Sequence, residues 1–193
     1  MSVPEQSHTS MHSLAHILWG TCKHLSAGYL VFSVLRRISG DPPTATATAA
    51  VLFGSLAPDL LDKPLVALGV LSYGRSMFHS LLAMGAVVGL VAVVGRTRGR
   101  TAVLYPFALG YGSHLAVDYA DEVLGAYWGA DTAFLLWPVL VDYPLPVAVP
   151  LLPVDDGTLF GAGMLVALAL WVSDGLVGLT DAVRYLRNRY DIG

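Results

Sequence analysis

The sequence has little charge and almost no cysteine. Only 13% of its 193 residues are charged and 55% are hydrophobic, whereas soluble domains carry about twice that share of charge. The single cysteine, Cys22, excludes an internal disulfide and a cysteine-rich metal site. A net charge of −3 gives no reason to expect nucleic acid as a partner. Because so few charges cannot cover a soluble surface, and because mean hydropathy is +0.62, we expect an integral membrane protein.

Long apolar runs without strand-like alternation predict an all-α fold, a polytopic membrane bundle of about five buried helices. Crossing a bilayer takes ~20 residues, so the first two of these runs are short for that purpose. Residues 85–89, GAVVG, place small residues four apart, which predicts close contact with another helix. The predicted helices cover residues 24–38, 43–57, 76–95, 101–119 and 158–179.

The stretch 134–154 is apolar but contains five prolines, so it cannot form a regular helix. We expect a proline-rich flap, buried in protein or lying at the interface, because lipid cannot satisfy its backbone. The chain is then predicted to comprise a polar N-terminal segment, 1–23, a membrane-embedded helical domain, 24–180, and a basic C-terminal tail, 181–193.

Arginines predict the orientation in the membrane. Eight of the nine fall in three groups, after the first, third and fifth predicted helices, and no lysine or arginine lies between Arg100 and Arg184. By the positive-inside rule these groups are cytoplasmic. Five crossings would then place the N-terminus outside and the C-terminus inside, in the cell membrane. The three groups are Arg36 and Arg37; Arg96, Arg98 and Arg100; and Arg184, Arg187 and Arg189.

Histidines and aspartates are predicted to gather at the opposite, extracytoplasmic end of the helices. His114 and Asp118 lie four residues apart, so their side chains share one helix face. Imidazoles and carboxylates together favour a divalent metal, with zinc the first choice and manganese the second. A simple hydrogen-bonded pair is the alternative for these two residues. The predicted metal ligands are His24, Asp59, His79, His114 and Asp118.

Five short motifs follow one another along the chain: HLSAG at 24–28, GSLAPDLLDKP at 54–64, GRSMFHSLL at 74–82, GYGSHLAVD at 110–118 and LLWP at 135–138. In this order they resemble the YdjM-like family of membrane-bound metal-dependent hydrolases. The resemblance implies kinship with the superfamily of zinc-dependent phospholipase C and single-strand nucleases, which are helical proteins that cleave phosphodiesters. It also implies that the five residues above are the ligands. The family's P-D-x-D is Pro58-Asp59-Leu60-Leu61 here, and Asp62 follows one position later.

Three further residues are predicted to serve catalysis. Asp62 has three candidate roles: a base that activates water, a partner that orients a ligand histidine, or the N-cap of a short helix beginning at Lys63. The guanidinium of Arg75 suits phosphate oxygens, and Lys63 offers a second cation. For both cations the alternative is an anchor at the membrane interface.

These features predict a membrane-bound, metal-dependent hydrolase. It would act on phosphodiester or lipid head-group bonds through a metal-activated water at the extracytoplasmic interface, with membrane lipids and a small-molecule or lipid substrate as partners. The first alternative is a non-catalytic membrane protein with a structural metal site, which four protein ligands would close. The second is a metal or proton transporter, whose relay would need ionisable residues in the cytoplasmic half of the helices.

Overall fold

The computed structural model describes residues 6–72, 74–125, 132–139 and 156–190. These ranges contain six α-helices, three short 3-10 turns and no strand, which confirms the all-α class and adds one helix to the predicted number. The helices are α1 (Gln6–Ser39), α2 (Ala45–Ala67), α3 (Leu81–Thr97), α4 (Leu104–Gly125), α5 (Asp156–Ser173) and α6 (Leu179–Tyr190).

Two helices extend well beyond their predicted bounds. α1 begins at Gln6, so most of the predicted N-terminal segment is helical. α2 begins after the N-cap Thr44 and continues through two prolines, Pro58 and Pro64, although proline ordinarily interrupts a helix. Because α2 passes through residues 62 and 63 without a break, the prediction that Asp62 caps a helix beginning at Lys63 is wrong. Part of the predicted C-terminal tail forms α6.

The prediction of five membrane-crossing helices does not hold for the described helices. In the parts of the chain that the structure describes, none is both long enough and apolar enough to span a bilayer. The apolar α3 has 17 residues, fewer than the ~20 that a crossing takes. The longer α2 and α4 both carry acidic residues along their length.

α4 lies at the centre, in contact with α1, α2 and α3. Its closest approach is to α2, through two glycines that face the opposite backbone. A Cβ at Gly54 would overlap the carbonyl oxygen of Phe107, and a Cβ at Gly110 would overlap that of Val51. The predicted contact at Gly85 and Gly89 is wrong, because both face open space among the described residues. Helix packing therefore depends on a different pair of glycines.

A second polar cluster ties α1 to the C-terminal end of α5. Oδ2 of Asp174 accepts hydrogen bonds from the hydroxyls of Tyr29 at 2.7 Å and Ser33 at 2.6 Å. Its other oxygen pairs with Arg37 at 2.5 Å. Ionisable groups therefore also occur at the end of the helices that the arginine pattern predicts to be cytoplasmic.

The predicted flap is described only over 134–139. A 3-10 turn over Ala133–Leu136 buries Phe134 and is followed by a cis peptide between Trp137 and Pro138. The remainder of the predicted flap, 140–154, lies outside the described residues.

Candidate metal centre

All five predicted ligands meet at one end of the helices. His24 comes from α1, Asp59 from α2, His79 from a 3-10 turn before α3, and His114 with Asp118 from α4. His79, His114 and Asp118 are at most 1% exposed, His24 is buried, and Asp59 is half-buried. Residues from four separate stretches of sequence therefore form a single cluster shielded from solvent.

Three ligand atoms form a triangle at the centre of the cluster. Nε2 of His79 lies 3.1 Å from Nε2 of His114. Oδ2 of Asp118 lies 3.2 Å from the His114 nitrogen and 3.4 Å from the His79 nitrogen. Ligands bound to one zinc ion at ~2.0–2.1 Å in a tetrahedron are ~3.3 Å apart. The triangle has the size that one such ion requires.

The hydrogen bonds of the two imidazoles establish which atoms point at the centre. Nδ1 of His114 donates to the carbonyl oxygen of Ser55 at 2.7 Å, because a carbonyl can only accept. Nδ1 of His79 donates to Oδ2 of Asp62 at 2.6 Å. In the neutral rings both Nε2 atoms then carry lone pairs directed at each other. This arrangement is repulsive unless a proton or a metal ion lies between them, and a metal ion satisfies both.

Further unpaired atoms support the same conclusion. Within the described ranges, Oδ2 of Asp118 and Nδ1 of His24 are buried and make no hydrogen bond. Buried polar atoms without partners are rare in native proteins because each costs ~1–3 kcal/mol. Ligation of Asp118 would remove this cost. The donor set, the spacing and the orphaned carboxylate oxygen all fit a divalent metal.

A second group of candidate ligands overlaps the first. His24, Asp59 and His114 also have ligand atoms close enough to share an ion. The His24 ring stacks on that of His114 with centroids 3.7 Å apart. Oδ1 of Asp59 lies 3.5 Å from Nε2 of His79, which joins the two groups.

Asp59 lies beyond the predicted second crossing, beside a lysine. Burial raises the pKa of its carboxyl, but hydrogen bonds with His79 and Lys63 have the larger combined effect. The pKa therefore falls below its ordinary range, and the group is ionised at neutral pH. The ionised carboxylate is the form that binds metal.

Asp62 lies behind His79 and is fully buried. Besides the histidine, its two oxygens accept the backbone N–H groups of Ser76 at 3.1 Å and Phe78 at 3.0 Å. These bonds fix the loop that carries His79. The geometry supports the predicted orienting role for Asp62, because a carboxylate so engaged and so shielded does not face the cleft.

An open cleft of 620 Å³ leads to the cluster. Its lining includes His24 and Asp59 together with three cations, Lys23, Lys63 and Arg75. Lys63 pairs with Asp59 at 2.6 Å, and Lys23 pairs with Asp121. The cleft thus combines candidate ligands with three cations, each of which is paired with a carboxylate.

Arg75 joins the metal cluster to the end of α4. It pairs with Asp118 at 3.1 Å, with Asp121 at 3.2 Å and with Glu122 at 2.5 Å. Asp121 and Glu122 lie beyond the predicted end of this helix at residue 119, but both belong to α4. They lie one helical turn beyond Asp118, and this spacing is the signal that places them beside the site.

Sequence reasoning missed two other residues of the site. Lys23 immediately precedes a predicted ligand and is buried, with Nζ 4.8 Å from the ring centre of Phe160. Ser55 acts through its backbone carbonyl, so its residue type carries no signal for this role.

Comparison with known protein families establishes the family of the chain. The model of the YdjM inner membrane protein family matches residues 19–185. The chain belongs to this family. The match extends beyond residues 24–138, which the five motifs span, and includes every residue of the cluster. Comparisons with curated proteins and with solved structures give no match.

Membership in the YdjM inner membrane protein family supports a membrane location for the chain. It confirms the family resemblance that the five motifs indicate. The YdjM match by itself names neither a reaction nor a metal, so the arrangement of side chains carries the functional argument.

Proposed function

We propose that this chain is a membrane-bound, metal-dependent hydrolase that cleaves phosphoester bonds, including phosphodiesters and lipid head-group esters. The observation that carries the proposal is the pair of Nε2 atoms of His79 and His114, 3.1 Å apart beside Asp118. An open cleft reaches the neighbouring candidate ligands, His24 and Asp59. A structural zinc site is closed by four protein ligands, whereas a catalytic site keeps an open position. The cleft along His24 and Asp59 favours catalysis.

His79, His114 and Asp118 would bind the ion. Asp59 and His24 would lie beside it, as further candidate ligands. Zinc is the first choice for this mixture of imidazole and carboxylate, and manganese is the second. A bound ion of this kind lowers the pKa of water towards neutrality and polarises a phosphoryl oxygen.

The protein's own groups prepare this site in two ways. Asp62 and the Ser55 carbonyl fix both imidazoles with Nε2 directed inward, at 2.6 Å and 2.7 Å from the respective Nδ1 atoms. Lys63 and Arg75 supply cations for the phosphate oxygens, and the guanidinium can bind two of them at once. Hydrolysis adds water across the ester bond: the water oxygen bonds to phosphorus, and the departing oxygen leaves as an alcohol with a water proton.

We also propose that the site lies on the extracytoplasmic side of the membrane, with membrane lipids as partners. Arg36 and Arg37 lie in the last turn of α1, and Arg96 lies in the last turn of α3. His24 and His79 precede these residues by most of a helix. The arginines therefore lie at the opposite end of these two helices from the histidines, and by the positive-inside rule arginines favour the cytoplasmic side of a membrane. Kinship with the superfamily of zinc-dependent phospholipase C and nucleases belongs to the same proposal.

Elemental analysis and an assay with a chromogenic aryl phosphodiester test the proposal. The purified full chain should contain zinc or manganese and hydrolyse the ester. His114→Ala and Asp118→Ala should lose metal and activity together. Asp41→Asn, which removes an exposed carboxylate paired with Arg36, should keep both.

The result also separates the alternatives. Full metal content in both ligand variants would contradict the assigned site. Metal that is lost in the variants, in a wild type that hydrolyses no phosphoester, would identify the structural role instead.

A further inference from the structure

An apolar groove between α1 and α2 runs directly into the cleft. It has a volume of 420 Å³, and its apolar lining comprises Ile17, Leu56, Leu60, Pro64 and Ala67. Three residues, Ile17, Asp59 and Lys63, line both the groove and the cleft. The groove therefore begins at a candidate metal ligand and a cation.

This continuity distinguishes the groove from other apolar depressions of the described structure. Those between α1 and α5, beside Phe107, and between α3 and α4 share no lining residue with the cleft. Exposed apolar side chains occur all over this chain, so exposure alone identifies nothing. A groove that opens directly into a charged cleft suits a molecule that has one apolar part and one charged part.

The dimensions of the groove match a hydrocarbon chain. From Asp59, at the junction with the cleft, to Ala67, α2 advances about 12 Å at its ordinary rise per residue. The hydrocarbon of one membrane leaflet is ~15 Å thick, so the groove accommodates most of such a chain. Ile17 and Leu60 are about half exposed, at 52% and 51%, so a bound chain would cover them.

We propose that the substrate is an amphiphilic phosphoester whose hydrocarbon chain lies in this groove while its phosphate lies in the cleft. This inference rests on the proposed function. Lys63 marks the junction, with Nζ 2.6 Å from Asp59 and a largely exposed side chain. The anionic phosphate meets Lys63 and Arg75, whose side chains are partly exposed, and the apolar chain extends along α2 towards Ala67. The groove is thus a specificity-determining subsite for chain length.

Photo-crosslinking tests the location without requiring turnover. The probe is a long-chain alkyl phosphodiester that carries a diazirine in the middle of its chain, added to zinc-loaded full-length protein in detergent. Labelled peptides should cover residues 17–21 and 56–67. Ala67→Trp, which places a bulky ring at the end of the groove, should reduce this labelling at least fivefold.

Ala116→Trp is the matched control. Ala116 is exposed in the apolar depression between α3 and α4, so the same substitution there should leave labelling of 17–21 and 56–67 unchanged. Equal labelling of both depressions, or equal loss in both variants, would overturn the proposal.

Hydrolysis provides a second readout. Each buried methylene contributes roughly a fourfold gain in affinity, so kcat/KM should favour a long-chain over a short-chain diester by at least tenfold. Ala67→Trp should remove most of that preference, and Ala116→Trp should keep it. Equal rates for the two esters would contradict the groove but support the hydrolase. Labelling of the groove without hydrolysis would support the groove and contradict the hydrolase.

Discussion

Asp62 holds the imidazole of His79 through Nδ1 at 2.6 Å, and this bond turns Nε2 towards His114. A buried carboxylate behind a ligand histidine selects the tautomer and raises the basicity of the ligand. The metal cluster therefore depends on a residue that faces away from the cleft.

Asp62→Asn should weaken zinc binding by about 10–100-fold, the range typical of such supporting residues. The amide keeps the shape of the side chain but lacks the charge that orients the ring. Competition with a chelating indicator measures the affinity. Asp41→Asn serves as the control, and an unchanged affinity in Asp62→Asn would show that His79 is not a ligand.

Zinc should stabilise the folded chain and its removal should destabilise it. At a hundredfold excess over Kd, binding contributes ~2.7 kcal/mol, which raises Tm by roughly 5–10 °C for a chain of this size. Thermal unfolding with zinc and with a chelator measures the shift. His114→Ala should show almost none of it, and an equal shift in that variant would place the binding elsewhere.

Gly110→Ala should destabilise the contact between α2 and α4. A Cβ at this position overlaps the carbonyl oxygen of Val51 and approaches the amide nitrogen of Ser55 at 2.8 Å. Overpacking of this kind costs ~1–3 kcal/mol. Because the displaced backbone includes Ser55, which positions His114, metal affinity should fall as well.

The matched control for that variant is Gly85→Ala. Gly85 lies inside α3 with open space around it among the described residues, so alanine should stabilise the helix by up to about 1 kcal/mol. Chemical unfolding of both variants checks the pair. Equal effects of the two variants on the free energy of unfolding would mean that the close approach of α2 and α4 does not restrict the size of residue 110.

Asp174→Ala should destabilise the far end of the molecule without affecting the metal. The substitution leaves the hydroxyls of Tyr29 and Ser33 without their acceptor, at a cost of ~1–3 kcal/mol. Unfolding measurements combined with elemental analysis check both parts. Asp41→Ala, at an exposed position, should change neither, and loss of metal in Asp174→Ala would show that the two clusters are coupled.

Much of the cluster could be predicted because the ligands have a characteristic chemistry and local spacing. His114 and Asp118 share a helix face at four-residue separation, and the motifs around His24, Asp59 and His79 identify the family. Helix bounds were harder to predict. Pro58 and Pro64 indicate interruptions, yet α2 includes both because the surrounding packing holds it together.

The sequence by itself determined the helical class, the family and the types of ligand, because these follow from composition and from short patterns of residues. Only the tertiary structure decided which glycines join the helices, which carbonyl orients His114, and which groove reaches the cleft. Those features depend on the approach of backbones distant in sequence, at separations of a few ångströms. No local pattern encodes such a distance, since it results from the packing of the whole chain.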